Sequence, residues 1–99
     1  MLLESQYQKQ LIQKIKDQYP GAVVLKNDSS YIQGIPDWLV LHGPHWAALE
    51  IKRSAKARHQ PNQPHYIRKL DRMSFAAFVY PENEGEILNE IHKTLQLGR

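Results

Sequence analysis

Apolar residues recur at Leu3, Tyr7, Leu11, Ile12, Ile15 and Tyr19 with polar residues between them, the spacing that turns one face of a helix toward a core. An amphipathic helix is therefore predicted from about Leu3 to Gln18, stopping ahead of Pro20-Gly21. The pattern then changes. Ala22-Val23-Val24-Leu25-Lys26 is short, apolar and β-branched, as a first strand would be, and Asn27-Asp28-Ser29-Ser30 has the composition of a loop. Trp38-Leu39-Val40-Leu41 and the run from Trp46 to Lys52 flank His42-Gly43-Pro44-His45, predicting two antiparallel strands joined by a four-residue connection. Ser54 to Pro61 is polar and broken by proline, so it reads as a loop. A second helix should follow, with Asn62 as its cap, Pro64 in its first turn, and Ile67, Leu70 and Met73 as its buried stripe. Phe75 to Tyr80 reads as another strand, ended by Pro81. Asn83-Glu84-Gly85-Glu86 resembles a capped start for a last helix whose apolar face is Ile87, Leu88, Ile91 and Leu95. The order is α-β-β-β-α-β-α, an α/β fold with a central mixed sheet flanked by helices, expected as one domain over residues 1–99.

Composition narrows the class. A chain of 99 residues buries only about 60–65% of its unfolded surface, so its stability margin is thin. Apolar residues make up 41% and charged residues 23%, proportions that argue against disorder. Cysteine is absent, which excludes disulfide scaffolds and thiolate zinc sites and leaves carboxylates and histidines as candidate metal ligands. Met1-Leu2-Leu3-Glu4-Ser5-Gln6 has no basic region leading into a long apolar run, and no window approaches a membrane span. The expectation is a cytoplasmic protein without a membrane role.

Charge adds an asymmetry. The net charge is +3, yet Lys52, Arg53, Lys56, Arg58, Arg68, Lys69 and Arg72 share their segment with a single acid, Asp71, and the rest of the chain is net acidic. A basic strip of this kind fits neutralisation of a polyanion. It begins directly beside Ala48-Leu49-Glu50-Ile51-Lys52.

Alternate side chains of a strand share a face, so Glu50 and Lys52 project together while Leu49 and Ile51 point the other way. A register with Leu41 opposite Trp46 also sets Asp37, in Gly34-Ile35-Pro36-Asp37, opposite Glu50. Two carboxylates so close repel unless a cation sits between them. Mg²⁺ fits, as a hard ion that takes oxygen ligands and retains water. Such an ion polarises a phosphodiester and acidifies a bound water, with Lys52 placed to orient that water or offset charge on the phosphate. Gly34 and Pro36 would shape the turn presenting Asp37.

Gly34-Ile35-Pro36-Asp37 with Glu50-Ile51-Lys52 resembles the signature of the PD-(D/E)xK nucleases, and Gln60-Pro61-Asn62-Gln63 resembles the glutamine motif of their VRR-NUC branch, the virus-type replication-repair nucleases. The resemblance covers nearly the whole chain. It implies a restriction-endonuclease-like core and Mg²⁺- or Mn²⁺-dependent hydrolysis of DNA, without an organic cofactor. It further implies that Asp37, Glu50 and the main-chain carbonyl of Ile51 ligate the metal, that Lys52 assists the attacking water, and that Gln63, or alternatively Gln60, helps hold Lys52 or substrate. Many relatives carry another acid on the first helix, and Glu4 is the candidate here. Stand-alone members of this size, often phage-encoded, lack the accessory DNA-binding domains of large repair enzymes. The chain has no recognisable base-reading module and the family's usual theme is branched substrates such as flaps or four-way junctions, so structure-selective cutting is expected, with a homodimer placing two cutting sites on a symmetric junction.

Arg53, Lys56, Arg58, Arg68 and Lys69 are the candidate DNA contacts, with Tyr31, His59 and His65 as further candidates. None of the five histidines, His42, His45, His59, His65 and His92, forms a spaced metal cluster with acids, and Trp38 and Trp46 fit either core positions or a base-stacking or dimer surface. A non-catalytic DNA-binding module, an interaction subunit and a sequence-specific endonuclease remain as alternatives.

Overall fold

The computed structural model describes residues 2–97. Helix α1, Glu4–Gln18, leads into strands β1 (Val23–Lys26), β2 (Trp38–His42) and β3 (His45–Ile51). Helix α2 (Gln63–Met73), strand β4 (Phe75–Val79) and helix α3 (Glu84–His92) follow, with a π-helical turn over Lys93–Leu97. The strands lie in the order β1-β2-β3-β4, the first three antiparallel and β4 parallel to β3. This is the mixed-sheet α-β-β-β-α-β-α order that the hydropathy pattern predicts.

Strand alternation divides the molecule into two layers. Val40, Ala47, Leu49, Ile51, Phe75 and Val79 face α1 and α3, where they meet Tyr7, Leu11, Ile15, Ile87, Ile91 and Leu95 in the main core. On the other face α2 covers only the β3–β4 side, packing Ile67 on Ala48 and Ala76, with Leu70 beside them. The β1–β2 side of that face stays open, and Val23 and Leu25 are exposed.

Several local expectations are corrected. The β2–β3 connection has two residues rather than four, because His42 and His45 pair and only Gly43-Pro44 turn. Gly43 has φ +60°, and glycine in the first central position suits a tight primed turn. The Leu41–Trp46 register is as predicted. Leu3 precedes α1 and is exposed, its N–H capped by the Gln6 side chain at 3.0 Å. Met73 is 62% exposed instead of buried, since α2 ends there and Ser74 turns the chain into β4.

Neither predicted asparagine cap forms. Asn62 adopts φ +70° without a capping hydrogen bond. Asn83 directs its side chain backward, accepting the Tyr80 N–H at 2.9 Å and donating to the Phe78 carbonyl at 3.1 Å, so it fastens the exit of β4 instead of opening α3. Leu95 is buried as expected, but from the π-helical turn beyond α3. Among the described residues no helix is long and apolar enough to cross a membrane.

Candidate functional site

The observed hairpin register runs from His42–His45 to Trp38–Leu49, which brings Asp37 to the mouth of the ladder beside Glu50. Their contact is direct: the Asp37 N–H donates to Glu50 Oε1 at 3.2 Å. The other Glu50 oxygen lies 3.7 Å from Lys52 Nζ. Glu50 is 3% exposed and Lys52 6% exposed, so this pair lies where water screens little. Burial and then the Asp37 charge push the Glu50 carboxyl up to about 7, against the opposing pull of Lys52 and the Asp37 N–H. A cation between the two carboxylates would offset their repulsion and the cost of burial.

Local sequence explains how Asp37 is presented. Asn27 follows β1 and spans the gap to β2, its N–H donating to the Asp37 carbonyl at 2.6 Å and its side chain to the Pro36 carbonyl at 2.8 Å. Gly34 has φ +92°, and a Cβ placed there would lie 2.5 Å from the Cβ of Asn62. Only glycine meets both the conformation and the contact. Asn62, itself left-handed, thereby fixes the loop before Asp37 against the start of α2.

Lys52 is held from the opposite layer. Gln8, 8% exposed within α1, donates its side-chain N–H to the Ile51 carbonyl at 3.0 Å. Glu4, one turn earlier on the same helix face, accepts the Arg53 N–H at 3.2 Å. The Lys52 N–H donates to the Val79 carbonyl at 2.8 Å, extending the parallel ladder past the end of β3. Three successive residues are thus pinned by their backbones.

Glu4, Asp37, Glu50, Lys52, Gln60 and Gln63 line one cavity of about 450 Å³, together with the loop before Asp37. The structure brings the acids, the lysine and both candidate glutamines to one place. Gln63 is buried and its Oε1 accepts the Gln60 N–H at 2.8 Å, so it braces the entry to α2. Arg53, Lys56, Arg58, Arg68 and Lys69 are all exposed. His59 is exposed and stacks flat on Phe78, the β4 partner of Glu50, with ring centroids 4.0 Å apart. His65 packs edge-on against Tyr66. Tyr31 is 86% exposed and lines an adjoining cavity, which shares Ile35 with the polar one. Trp38 packs toward the main core, with Lys26 Nζ 5.2 Å above its ring, while Trp46 faces the α2 side.

Two contributors escape sequence reasoning. Gln8 interrupts the buried stripe between Tyr7 and Leu11, and a polar residue at such a position is the signal that a backbone partner awaits it. Asn27 is hidden by its loop composition, and only its position at a strand exit sets it apart.

The donors fit a hard divalent ion. Asp37 and Glu50 would offer carboxylate oxygens, and the Ile51 carbonyl, although it accepts from Gln8, retains a second lone pair. Among the described residues no three Asp, Glu or His side chains cluster tightly enough to hold an ion alone. Backbone and water would complete the shell, the mode Mg²⁺ favours.

No protein-family model matches the chain, and no curated protein matches it. Among solved structures it is similar to a VRR_NUC domain protein, with a TM-score of 0.66 at 16% identity, covering 96% of this chain and 91% of that one. The two share a fold over nearly their full lengths.

Proposed function

We propose that this protein is a Mg²⁺- or Mn²⁺-dependent nuclease that hydrolyses DNA phosphodiester bonds. The observation that carries the proposal is the meeting of Asp37, Glu50 and Lys52 in one polar cavity, with both acids at the mouth of a single hairpin. Likeness to a VRR_NUC domain protein supports the same class.

When bound, the cation supplies Lewis-acid polarisation of the phosphate and a more acidic water. The protein's own residues do the remaining work. Asp37 and Glu50 would hold the ion through carboxylate oxygens and Ile51 through its carbonyl, with Glu4 at the edge of the same cavity. The Lys52 ammonium orients the attacking water or offsets charge gathering on the phosphate, and its pinned backbone keeps it there without reorganisation. Gln63 braces the α2 wall, and the exposed Arg53, Lys56 and Arg58 receive flanking phosphates.

Branched DNA, such as flaps and four-way junctions, is the proposed substrate class, and a C₂ dimer would bring two such cavities to one junction. The test is cleavage of linear duplex, single-stranded, flap and four-way-junction DNA with Mg²⁺, Mn²⁺ or chelator. Asp37→Ala and Glu50→Ala should each lower cleavage at least roughly a hundredfold with the fold retained by circular dichroism. Wild-type cleavage by either variant sinks the reading. Metal-indifferent DNA binding without cutting would instead favour a binding module.

A further inference from the structure

The polar cavity is half of a longer trough. Asp37 and Glu50 stand on the α2-facing side of the hairpin, and the register places Leu39 opposite Ala48 and Leu41 opposite Trp46 on that same side. Each pair lies about 7 Å beyond the last. The floor therefore passes without a break from two carboxylates to two rows of apolar side chains. Both walls are shared as well. Helix α2 contributes Gln63 beside the acids and Leu70, two turns on, beside the apolar rows, while Ile35 of the loop before Asp37 lines both halves.

The apolar half encloses about 620 Å³. Its contents are selective about what can enter. Asn27 and Asp28 are polar side chains of its lining, and among the described residues no lysine or arginine lines it. A phosphate would meet a carboxylate there with no cation to offset it, whereas a neutral aromatic ring bearing amino groups would meet apolar walls and an acceptor. Tyr31 stands at the rim, its side chain exposed in the same loop that walls the polar half. An exposed tyrosine over an apolar cleft is a platform on which a base can stack.

Resting on the nuclease reading above, we infer that this half of the trough seats an unstacked nucleobase of the strand being cut, one nucleotide removed from the scissile phosphate. Its seat is continuous with the candidate catalytic cavity, which sets it at the distance of a neighbouring nucleotide rather than of a remote partner. The inference supplies a physical basis for preferring branched DNA. A base at a junction or flap leaves its stack at lower cost than one inside a continuous duplex, so the substrate admitted is the one whose base is already loosely held.

Fluorescence of 2-aminopurine tests the seat independently of cleavage. The probe is stepped through the flap and four-way-junction strands one nucleotide at a time and titrated with the wild-type protein in chelator, and the same substrates are then assayed for cutting with Mg²⁺. Tyr31→Ala, at a side chain so exposed, leaves the fold intact. The expected result is a fluorescence change confined to one position, next to the cleaved bond, that is lost in Tyr31→Ala together with a roughly 5- to 150-fold weaker affinity. Cleavage with no position-specific change would overturn the base seat and leave the nuclease reading standing. A confined, Tyr31-dependent change without cleavage would reject the nuclease reading and overturn the seat's placement beside a scissile bond. Failure of both signals rejects both. Loss of self-association in Tyr31→Ala, with fluorescence unaltered, would assign the face to a second copy of the chain and overturn the proposal.

Discussion

At the scale of single residues, the candidate site is held in tension. Glu50 is buried, and burial together with Asp37 outweighs the attraction of Lys52, so its carboxyl is raised to about 7. Glu50→Gln removes that cost together with the Lys52 ion pair, whose pull on the Glu50 carboxyl is the weaker of the opposing effects. With chelator at pH 8, where the wild-type carboxylate is ionised, the variant should unfold about 1–3 kcal/mol harder in urea while losing cleavage. An unchanged or lower midpoint would show that the pair with Lys52 dominates instead. Gly34 carries the opposite kind of constraint. Gly34→Ala forces a side chain into φ +92° and against Asn62, and a loss of about 1–3 kcal/mol is expected in the same assay. Legibility also divides at this scale. Asp37, Glu50 and Lys52 can be read from the sequence because strand periodicity and one register relate them. Gln8 and Asn27 cannot, because their partners are main-chain atoms brought near only by folding. Asn62 and Asn83 carry the local signature of helix caps, yet Gly34 on one side and the β4 carbonyl on the other claim them first.

Among elements, α1 supports the site although it lies on the far layer. Its Glu4–Gln8 face grips the backbone on both sides of Lys52. Gln8→Ala leaves the Ile51 carbonyl without that donor and should cost about 1–2 kcal/mol in stability. A drop in cleavage rate larger than the stability loss explains, with DNA affinity unchanged, would mark Gln8 as a positioning residue. The same helix is tied to α3 by a second network, in which Tyr7 donates to Glu84 at 2.8 Å and Lys14 pairs with it at 2.6 Å. Burial alone would raise the Glu84 carboxyl, but the Lys14 and Tyr7 hydrogen bonds together hold it below the usual glutamate range. Because its folded value is depressed, this network stabilises the protein above the unfolded glutamate value of 4.5 and releases that stability as pH falls through the folded value. Tyr7→Phe should therefore cost about 1–2 kcal/mol at pH 7 and progressively less in acid. A penalty independent of pH would separate the tyrosine from the carboxylate. The element order was legible throughout, since hydrophobic periodicity switches cleanly between helix and strand. Element ends were not, because the Gly43-Pro44 turn and the exit from α2 depend on which neighbours complete the ladder.

For the molecule as a whole, charge and hydrophobicity are distributed unevenly over the surface. The basic segment after β3 leaves Arg53, Lys56 and Arg58 exposed, so under the proposed function DNA affinity should fall steeply with salt. Replacing each with alanine should reduce the slope of log affinity against log salt by about one for every phosphate no longer neutralised. A slope that does not move would assign phosphate binding to other cations, with Arg68 and Lys69 of α2 next to be tried. The hairpin also links assembly to chemistry. Its side chains alternate between the main core and the trough, so a slip of one residue would turn Trp38 and Val40 outward and thrust the acids among the leucines and isoleucines packed under α1. No misaligned form can be both well packed and competent. Under the proposed function, the activity of each native-like molecule should thus be constant from the first to the last during refolding, and cleavage would serve as a clock for strand alignment.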